Sequence, residues 1–349
     1  MTDLLTINGI QLDLTALAHE EVSYPDTVPG RVVQIDADFL AYQVSYEKEG
    51  DHKTADDMRH NASVSVDHIR RMAAAEHVHL HLTPMESDKG GRYKQALLKK
   101  YQDNRTGKEK PRMLHVMRDH LAAAFPATQW LNCEADDGMS MAQYAAIAEG
   151  NENLCIIASK DKDLCMVPGW HMDWDTGELI HADEFGWVEL KEKRSSSGAV
   201  TKKLVGYGQK FFWAQMLIGD TADNISGLPA IPGAIMNRIK PTAVTMKAEK
   251  VIAADGSDKQ PTDKALATAR KAINERKPGK CGPATAILLL DLMHNNKQAF
   301  QAVRGVYEMY GNEIGFKCYN GTDIPFGKAF MSEAQLLWMR RKNSPTAVS

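Results

Sequence analysis

Residues 154–163 read Leu-Cys-Ile-Ile-Ala-Ser-Lys-Asp-Lys-Asp, an apolar run followed directly by two aspartates. The apolar half predicts a buried strand. The Asp-x-Asp spacing after it can turn the carboxylates of Asp161 and Asp163 toward one cation. A second run of this kind, at 31–35, ends at Asp36. The sequence therefore places acidic residues where predicted strands end.

Two further apolar segments, at 78–82 and 129–131, bring the number of predicted strands to four. Helical patterns alternate with them, and the predicted helices cover 38–46, 62–76, 111–124 and 135–149. This alternation predicts an α/β fold with a doubly wound parallel sheet. Ligands of such sheets bind beyond the carboxyl ends of the strands, near the switch in strand order. We therefore expect the acidic residues that follow the strands to converge.

Nine carboxylates occupy five separated places in the sequence: Asp36; Asp88; Glu134, Asp136 and Asp137; Asp161 and Asp163; Asp220 and Asp223. Carboxylates that share one cleft repel each other, so their convergence predicts neutralisation by hard divalent cations such as Mg²⁺ or Mn²⁺. For any single residue, a helix N-cap, an acidic first turn of a helix or a loop turn is the competing explanation. Asp38 is assigned as an N-cap.

Length and composition limit the class of protein. With 349 residues and 43% hydrophobic content, the chain can form one large α/β domain and a smaller helical region. It contains no run of eighteen apolar residues, and residues 1–5 do not resemble a signal peptide. Five cysteines without a Cys-x-x-Cys pair predict reduced thiols. These features predict a cytoplasmic protein without membrane contact.

Basic residues are concentrated outside the acidic places. Residues 89–118 contain ten Lys or Arg against two acids, and they directly follow Asp88. Such a segment can hold the phosphates of a polyanion beside the acidic pocket, or it is simply a solvated face. Downstream, residues 279–290 predict a glycine-containing hairpin that leads into a helix and grips a phosphate through backbone N–H groups. An ordinary helix start at Pro283 is the alternative.

Taken together, these motifs resemble the 5′-nuclease superfamily of flap endonucleases, polymerase-associated 5′ nucleases and phage 5′→3′ exonucleases. The resemblance rests on the order of the acidic motifs and spans about residues 30–340. It is nearest to the exonucleases of short-tailed phages, through Tyr101-x-x-Asn104-Arg105 and Leu336-Leu337-Trp338. It implies a PIN-like nuclease domain at 1–205 with a helical arch at about 89–118, and a helical DNA-binding region at 206–349.

The resemblance also implies roles for individual residues. One Mg²⁺ or Mn²⁺ would be held by Asp36, Asp88, Glu134 and Asp136, and a second by Asp161, Asp163, Asp220 and Asp223, with Asp137 between the two groups. The family's arch lysine is replaced by Gln102. The candidate catalytic residues that could supply its positive charge are Arg92, Lys94, Lys100 and Arg105. Candidate DNA contacts are Lys89, Lys99, Gln102, Asn104, Lys280, Gly282 and Thr285.

In this family a helix-hairpin-helix grips the duplex and binds K⁺. Here its two halves would lie at 227–233 and 280–286, separated by an insertion at about 234–279. The implied activity is metal-dependent 5′→3′ exonuclease action on double-stranded DNA with a 5′ end. Flap cleavage and removal of RNA from RNA–DNA hybrids are further implied, by a monomer working with replication proteins. The alternatives are a PIN-type single-strand RNase, which lacks the arch and the hairpin, and a non-catalytic DNA-binding protein.

Overall fold

In the computed structural model, the described residues are 4–7, 10–13, 23–48, 50, 53–194, 198, 200–229, 264, 267, 268, 271 and 280–342. The chain opens with an antiparallel hairpin of β1 (Leu4–Ile7) and β2 (Ile10–Asp13). Its central feature is a six-stranded sheet of β3 (Val28–Asp36), β4 (Ala75–Leu82), β5 (Ala127–Gln129), β6 (Cys155–Ala158), β7 (Gly169–Met172) and β8 (Leu179–Ala182).

The strand order is β5-β4-β3-β6-β7-β8, and every neighbouring pair is parallel except β7 and β8. The predicted α/β class is thereby confirmed, and the expectation of a fully parallel sheet is corrected at one edge. A short turn at 173–178 connects β7 to β8, and a connection of that length allows an antiparallel neighbour but not a parallel crossover.

Nine helices are described: α1 (Ala37–Ser45), α2 (Ala55–Met72), α3 (Arg92–Gln95), α4 (Leu114–Ala124), α5 (Ala135–Ala148), α6 (Gln209–Ile218), α7 (Pro283–Leu290), α8 (Asn296–Glu313) and α9 (Phe326–Leu337). The hairpin of β9 (Trp187–Arg194) and β10 (Val200–Tyr207) precedes α6, and the short pair β11 (Phe316–Lys317) and β12 (Asp323–Ile324) lies between α8 and α9.

The predicted helix at 62–76 is wrong in its bounds. The helix α2 begins seven residues earlier, behind a capping box in which the Asp57 N–H donates to Thr54 Oγ1 at 3.1 Å and the Thr54 N–H donates to Asp57 Oδ2 at 2.9 Å. It ends at Met72, and Glu76 already belongs to β4. Apolar periodicity located the buried stripe, whereas the cap at Thr54 sets where the helix starts.

Two apolar cores flank the sheet. One lies between the sheet and α1, α2 and α4, and it includes Val33, Leu40 and Met58. The other joins the sheet and α5 to the C-terminal helices, where Ile157 and Leu204 share a core with Phe212 and Tyr307. The predicted boundary near residue 205 therefore runs through a shared core, and the division into 1–205 and 206–349 stays a prediction.

The switch in strand order lies between β3 and β6. The chain passes from β3 outward through β4 and β5, then returns to place β6 on the other side of β3. Ligands are expected at the carboxyl ends of strands on the two sides of such a switch. Asp36 is the last residue of β3, and Ser159, directly after β6, donates a hydrogen bond from Oγ to Asp36 Oδ2 at 2.8 Å.

The five cysteines are free thiols. Among the helices that the structure describes, none combines the length and apolar character needed to cross a membrane.

Candidate metal centre

The first acidic position is the junction of β3 and α1. Asp36 is buried and caps α1, because its Oδ1 accepts the Phe39 N–H at 3.0 Å. The assignment of Asp38 as the N-cap is therefore wrong by two residues. Asp38 lies in the first turn of α1, where its carboxylate accepts the Thr83 N–H at 2.9 Å and pairs with Arg118. The strand continues through Asp36, so the cap falls on the strand's own last residue.

The start of α5 supplies three carboxylates that face different surroundings. Asp137 is fully buried, and it accepts hydrogen bonds from Arg92 Nη1 and Nη2, each at 3.1 Å, and from the Arg340 N–H at 3.0 Å. It also accepts the Glu134 N–H at 3.3 Å. Asp137 is thus committed to holding α5, Arg92 and the segment after α9 together. Glu134 accepts Arg92 Nη1 at 2.5 Å and Tyr101 Oη at 2.9 Å.

Asp36, Asp136 and Asp161 lie near one another, and we call them the open carboxylates because no Lys or Arg of the described residues pairs with them. Burial, followed by the charges of Glu134, Asp161 and Asp36, raises the pKa of Asp136. Burial, followed by the charges of Asp38 and Asp161, raises the pKa of Asp36 to about 7. Within the described ranges, none of these three has a Lys or Arg nitrogen within 4.0 Å. A divalent cation would relieve this unfavourable charge.

Asp163, Asp220 and Asp223 form a second group, the carboxylate triad. One oxygen of each lies within 4.8 Å of the others, and an all-carboxylate set of donors suits a hard divalent cation. Asp163 follows β6 in a short 3-10 turn, and the other two come from the turn after α6. In that turn the Asp220 N–H donates to Ile225 O at 3.0 Å, and the Ile225 N–H donates to Asp220 O at 2.7 Å.

The chain neutralises much of this acidity with its own cations. Lys89 and Arg92 pair with Glu134, Arg92 and Arg340 with Asp137, Lys162 with Asp163 and Asp220, and Arg105 with Asp223. The acidic pattern predicts neutralisation by divalent cations, and in the structure basic side chains of the chain itself supply part of it. Five basic residues reduce the repulsion, and among the described residues the open carboxylates are the part of the cluster without such a partner.

The pKa directions follow this pairing. Burial alone would raise the pKa of Glu134, but the charges of Arg92 and Lys89 outweigh it and lower that pKa. Burial alone would lower the pKa of Lys162, but the charges of Asp163 and Asp220 outweigh it and raise that pKa. Burial and Asp161 raise the pKa of Asp163 to about 7 although Lys162 opposes them. Glu134 and Lys162 are thus stabilised in their charged forms, whereas the charged form of Asp163 is destabilised, and all three lie in one cleft.

Asp88 caps the 3-10 turn at 89–91. It is exposed, and its carboxylate accepts the Gly90 N–H at 2.8 Å at the start of a 3-10 turn. Its backbone still runs beside the loop before α5, since the Asp88 N–H donates to Leu131 O at 3.0 Å.

The basic segment is folded against the acidic cluster. Gln102 is buried and bridges opposite charges, because its Oε1 accepts from Lys89 Nζ at 2.7 Å and its Nε2 donates to Asp223 Oδ1 at 3.0 Å. Tyr101 Oη is shared between Glu134 Oε2, at 2.9 Å, and Asp223 Oδ2, at 3.1 Å. The predicted arch therefore contributes residues to the site itself, through α3 and two 3-10 turns at 89–91 and 103–105.

The four positively charged residues that are candidates for catalysis differ in their surroundings. Arg92 is buried at 4% exposure between Glu134 and Asp137. Arg105 is half exposed and pairs with Asp223. Lys94 and Lys100 are exposed, the latter with its Nζ 5.8 Å from the Tyr319 ring centre. Lys94 and Lys100 are therefore the two that are free to meet a phosphate from solvent.

The candidate DNA contacts fall on the basic segment and at the start of α7. Asn104 holds the Asp220 turn, since its Nδ2 donates to Thr221 O at 2.8 Å. Burial and the charge of Lys280 lower the pKa of Lys99, so these two lysines are neighbours. Gly282 precedes α7 as its cap residue, with Pro283 in the first turn, and Thr285 is buried. The helix start at Pro283 is present, and it fits both the predicted hairpin that leads into a helix and the alternative of an ordinary helix start.

Of the first hairpin half, 227–233, the structure describes residues up to 229. The insertion at 234–279 lies outside the described residues except at 264, 267, 268 and 271. The predicted K⁺ site belongs to the two hairpin halves, of which residues 230–233 lie outside the described residues, so it stays a prediction.

Sequence reasoning missed Lys162, Ser159 and Arg340 as members of the site. Lys162 is the x of the Asp-x-Asp motif, so its place between two candidate ligands was a usable signal. Ser159 follows β6 directly, so its position after a strand was a usable signal. Arg340 reaches Asp137 across 203 residues of sequence, and no local pattern indicates that contact.

No family model matches the chain, and no curated protein matches it. Among solved structures, bacteriophage T5 5′-exonuclease with bound zinc is similar at 13% identity and a TM-score of 0.39, over 80% of this chain and 98% of that one. The T5 flap endonuclease in a pseudo-enzyme–product complex with DNA and metal ions is similar at 12% identity and a TM-score of 0.39, over 88% and 99%. The catalytic core of Rad2 with DNA substrate is similar at 11% identity and a TM-score of 0.30, over 88% and 92%. At these values the matches assign neither activity nor site residues to this chain.

Proposed function

We propose that this chain is a divalent-cation-dependent phosphodiesterase that degrades double-stranded DNA from 5′ ends, with flap cleavage and removal of RNA from RNA–DNA hybrids as further activities. One observation carries the proposal. Two sets of aspartates, the open carboxylates and the carboxylate triad, lie together at the switch point of the sheet and directly against a basic segment. Acidic pockets of this kind hold the cations that hydrolyse phosphodiesters, while the basic residues hold the phosphates.

The donor set fits two hard cations, Mg²⁺ or Mn²⁺. Asp36, Asp136 and Asp161 would hold one, with Glu134 beside them, and the triad would hold the other. We leave Asp137 out because Arg92 and the Arg340 N–H occupy it, and Asp88 because it is exposed on a separate turn. Cations bound at such a site supply an activated water and stabilise the leaving oxygen.

The protein's own groups would position the substrate. Lys94 and Lys100 are exposed on the basic segment and can receive a phosphate without losing an existing ion pair. Gln102 holds Lys89 beside Glu134. The Lys89 ammonium group therefore lies at the edge of the open carboxylates, although the arch lysine is missing. This arrangement supports an active enzyme with Gln102 in place. Lys280 and the N–H groups at the start of α7 would contact the duplex farther from the cleavage point.

The test is digestion of a linear duplex that carries a label at its 5′ or its 3′ end, with Mg²⁺ or with EDTA. We expect Mg²⁺-dependent release of the 5′ label in short products. Asp136→Asn should slow this release about 100-fold or more, since it removes a proposed cation ligand. Asp323→Asn, an exposed aspartate on β12, is the matched control and should cleave at the wild-type rate.

Three results would contradict the proposal. Cleavage confined to single-stranded RNA, and retained after deletion of 280–290, would indicate a PIN-type RNase. Binding of DNA without cleavage under any cation condition would indicate a non-catalytic protein. Release of the 3′ label first would refute the 5′ polarity.

A further inference from the structure

Lys162 separates the two aspartates of the Asp-x-Asp motif, and its ammonium group lies against the carboxylate triad. Its Nζ is 2.8 Å from Asp163 Oδ1 and 2.9 Å from Asp220 Oδ1. Both aspartates are buried, and both belong to the three residues whose oxygens lie within 4.8 Å of one another. The ammonium therefore bridges two of the three groups that a divalent cation would need to bind.

The open carboxylates and the carboxylate triad differ in how far basic side chains neutralise them. In the triad, Lys162 and Arg105 set two positive charges against three carboxylates. The open carboxylates have no Lys or Arg nitrogen within 4.0 Å in the described part of the chain. Among the described residues, a cation that binds the open carboxylates breaks no ion pair with Lys or Arg, whereas one that binds the triad must first break charge-assisted hydrogen bonds.

Lys162 is also able to leave. Its side chain is 38% exposed, and a lysine ammonium sits on a flexible four-carbon stem. A displaced ammonium beside the cleft is attracted to a phosphate, so DNA would favour the displaced position.

We propose that Lys162 is a positioning residue that holds Asp163 and Asp220 in the cation-free protein and competes with the second divalent cation for them. This inference rests on the proposed function, since it concerns the same cation site. It follows that the free protein binds one cation well and a second one weakly. A DNA phosphate that receives the displaced ammonium would strengthen binding of the second cation.

Lys160 provides a matched control in the same loop. Its side chain is 22% exposed, and its Nζ pairs with Asp175 and lies 3.8 Å from Asp173, neither of which belongs to the triad. A Lys→Met change at either position removes one charge and keeps a similar chain length. Only the change at 162 removes the competing ammonium.

The experiment is a titration of the full-length protein with Mn²⁺ at pH 8, without DNA, in which free Mn²⁺ is counted by its electron paramagnetic resonance signal. Wild type and Lys160→Met should show one site and a second that is weaker by about tenfold or more. Lys162→Met should tighten the second site by about tenfold, the equivalent of one charge-assisted hydrogen bond. Lys162→Arg, which keeps a positive charge, should resemble wild type.

Two equal sites in wild type, or an unchanged second site in Lys162→Met, would overturn the inference. A second measurement needs no variant. Amine-reactive labelling of wild type, quantified by mass spectrometry, should modify Lys162 several-fold faster with saturating Mn²⁺ while Lys160 is unaffected. An unchanged Lys162 rate would overturn the inference even if Lys162→Met fails to fold. Neither readout depends on cleavage, so a protein that shows this competition but degrades no DNA would refute the proposed function alone.

Discussion

At the scale of single residues, the most constrained group is Arg92. Its guanidinium is buried, donates to Glu134 Oε2 at 2.5 Å and to both oxygens of Asp137 at 3.1 Å, and so fixes the first turn of α5. Removing one partner of a buried ion pair costs far more than removing an exposed pair, because the remaining charges lose both water and counter-charge.

We therefore expect Arg92→Leu to reduce the free energy of unfolding by about 3–5 kcal/mol. Arg59→Leu is the control, because Arg59 forms an exposed pair with Asp56 on α2, and it should cost less than about 1 kcal/mol. Urea denaturation of both variants decides the matter. Similar losses in the two would show that Arg92 is dispensable for the start of α5.

Asp36 gives a pH dependence whose sign is fixed by its pKa. Burial and neighbouring acids raise that pKa from 3.8 to about 7. Between these values the native state keeps a proton that the unfolded state releases, so stability falls as the pH rises through this window. Above the native pKa the loss is complete.

Asp36→Asn should lack this loss and keep the cap on α1, because Asn also caps helices. In EDTA, between pH 5 and pH 8, wild type should lose about 2 kcal/mol or more relative to Asp36→Asn. The measurement is the free energy of unfolding at both pH values, with Asp323→Asn, an exposed site, as control. An identical pH profile for wild type and Asp36→Asn would contradict the assignment.

At the scale of elements, the turn after α6 determines whether the triad exists. Gly219 has a φ of +75°, and a Cβ there would lie 2.5 Å from Ile225 O. Gly227 has a φ of +60°, and a Cβ there would lie 2.2 Å from the Gly219 nitrogen. Both positions exclude a side chain by conformation and by space. The two glycines let the chain fold back and carry Asp220 and Asp223 toward Asp163.

Gly219→Ala should therefore destabilise the protein by about 2 kcal/mol or more and weaken Mn²⁺ binding at the triad. Gly305→Ala is the matched control, since Gly305 lies inside α8 with open space around a Cβ. It should be neutral or stabilising by up to about 1 kcal/mol. Thermal denaturation and Mn²⁺ titration test both changes, and a Gly219→Ala protein with an unchanged second cation site would contradict this account.

At the scale of the whole molecule, the metal centre ties together parts of the chain that are far apart in sequence. Asp36 comes from the first long strand, Asp136 from α5, and Asp220 from the turn beyond the β9–β10 hairpin. Arg92 also donates to Trp338 O at 3.4 Å, across 246 residues. A cation bound by the native state alone therefore stabilises the whole fold.

At pH 8, Mg²⁺ at about 100 times its Kd should raise the free energy of unfolding of wild type by about 2.7 kcal/mol. Asp136→Asn should lose most of this gain, and Asp323→Asn should keep it. The comparison is made against Na⁺ at equal ionic strength, by urea denaturation. Equal stabilisation of wild type and Asp136→Asn by Mg²⁺ would exclude Asp136 as a ligand.

Four of the six strands of the sheet, and the acidic residues that follow them, could be predicted from the sequence. Apolar runs and turn chemistry are local signals, and strands at 31–35, 78–82 and 154–158 were predicted within a few residues of their observed positions. The convergence of Asp36 with Asp161 also followed, because parallel strands bring their carboxyl ends to one edge of the sheet.

The tertiary structure alone decided which carboxylates remain open to a cation. Arg92 and Arg340 occupy Asp137, Lys162 bridges Asp163 and Asp220, and Asp88 stays on an exposed turn. The antiparallel edge strand β8 and the early start of α2 were likewise decided outside the apolar pattern. Ion pairing depends on distances between side chains from separate elements, and burial makes those distances energetically decisive. Sequence spacing does not fix the distances between side chains of separate elements.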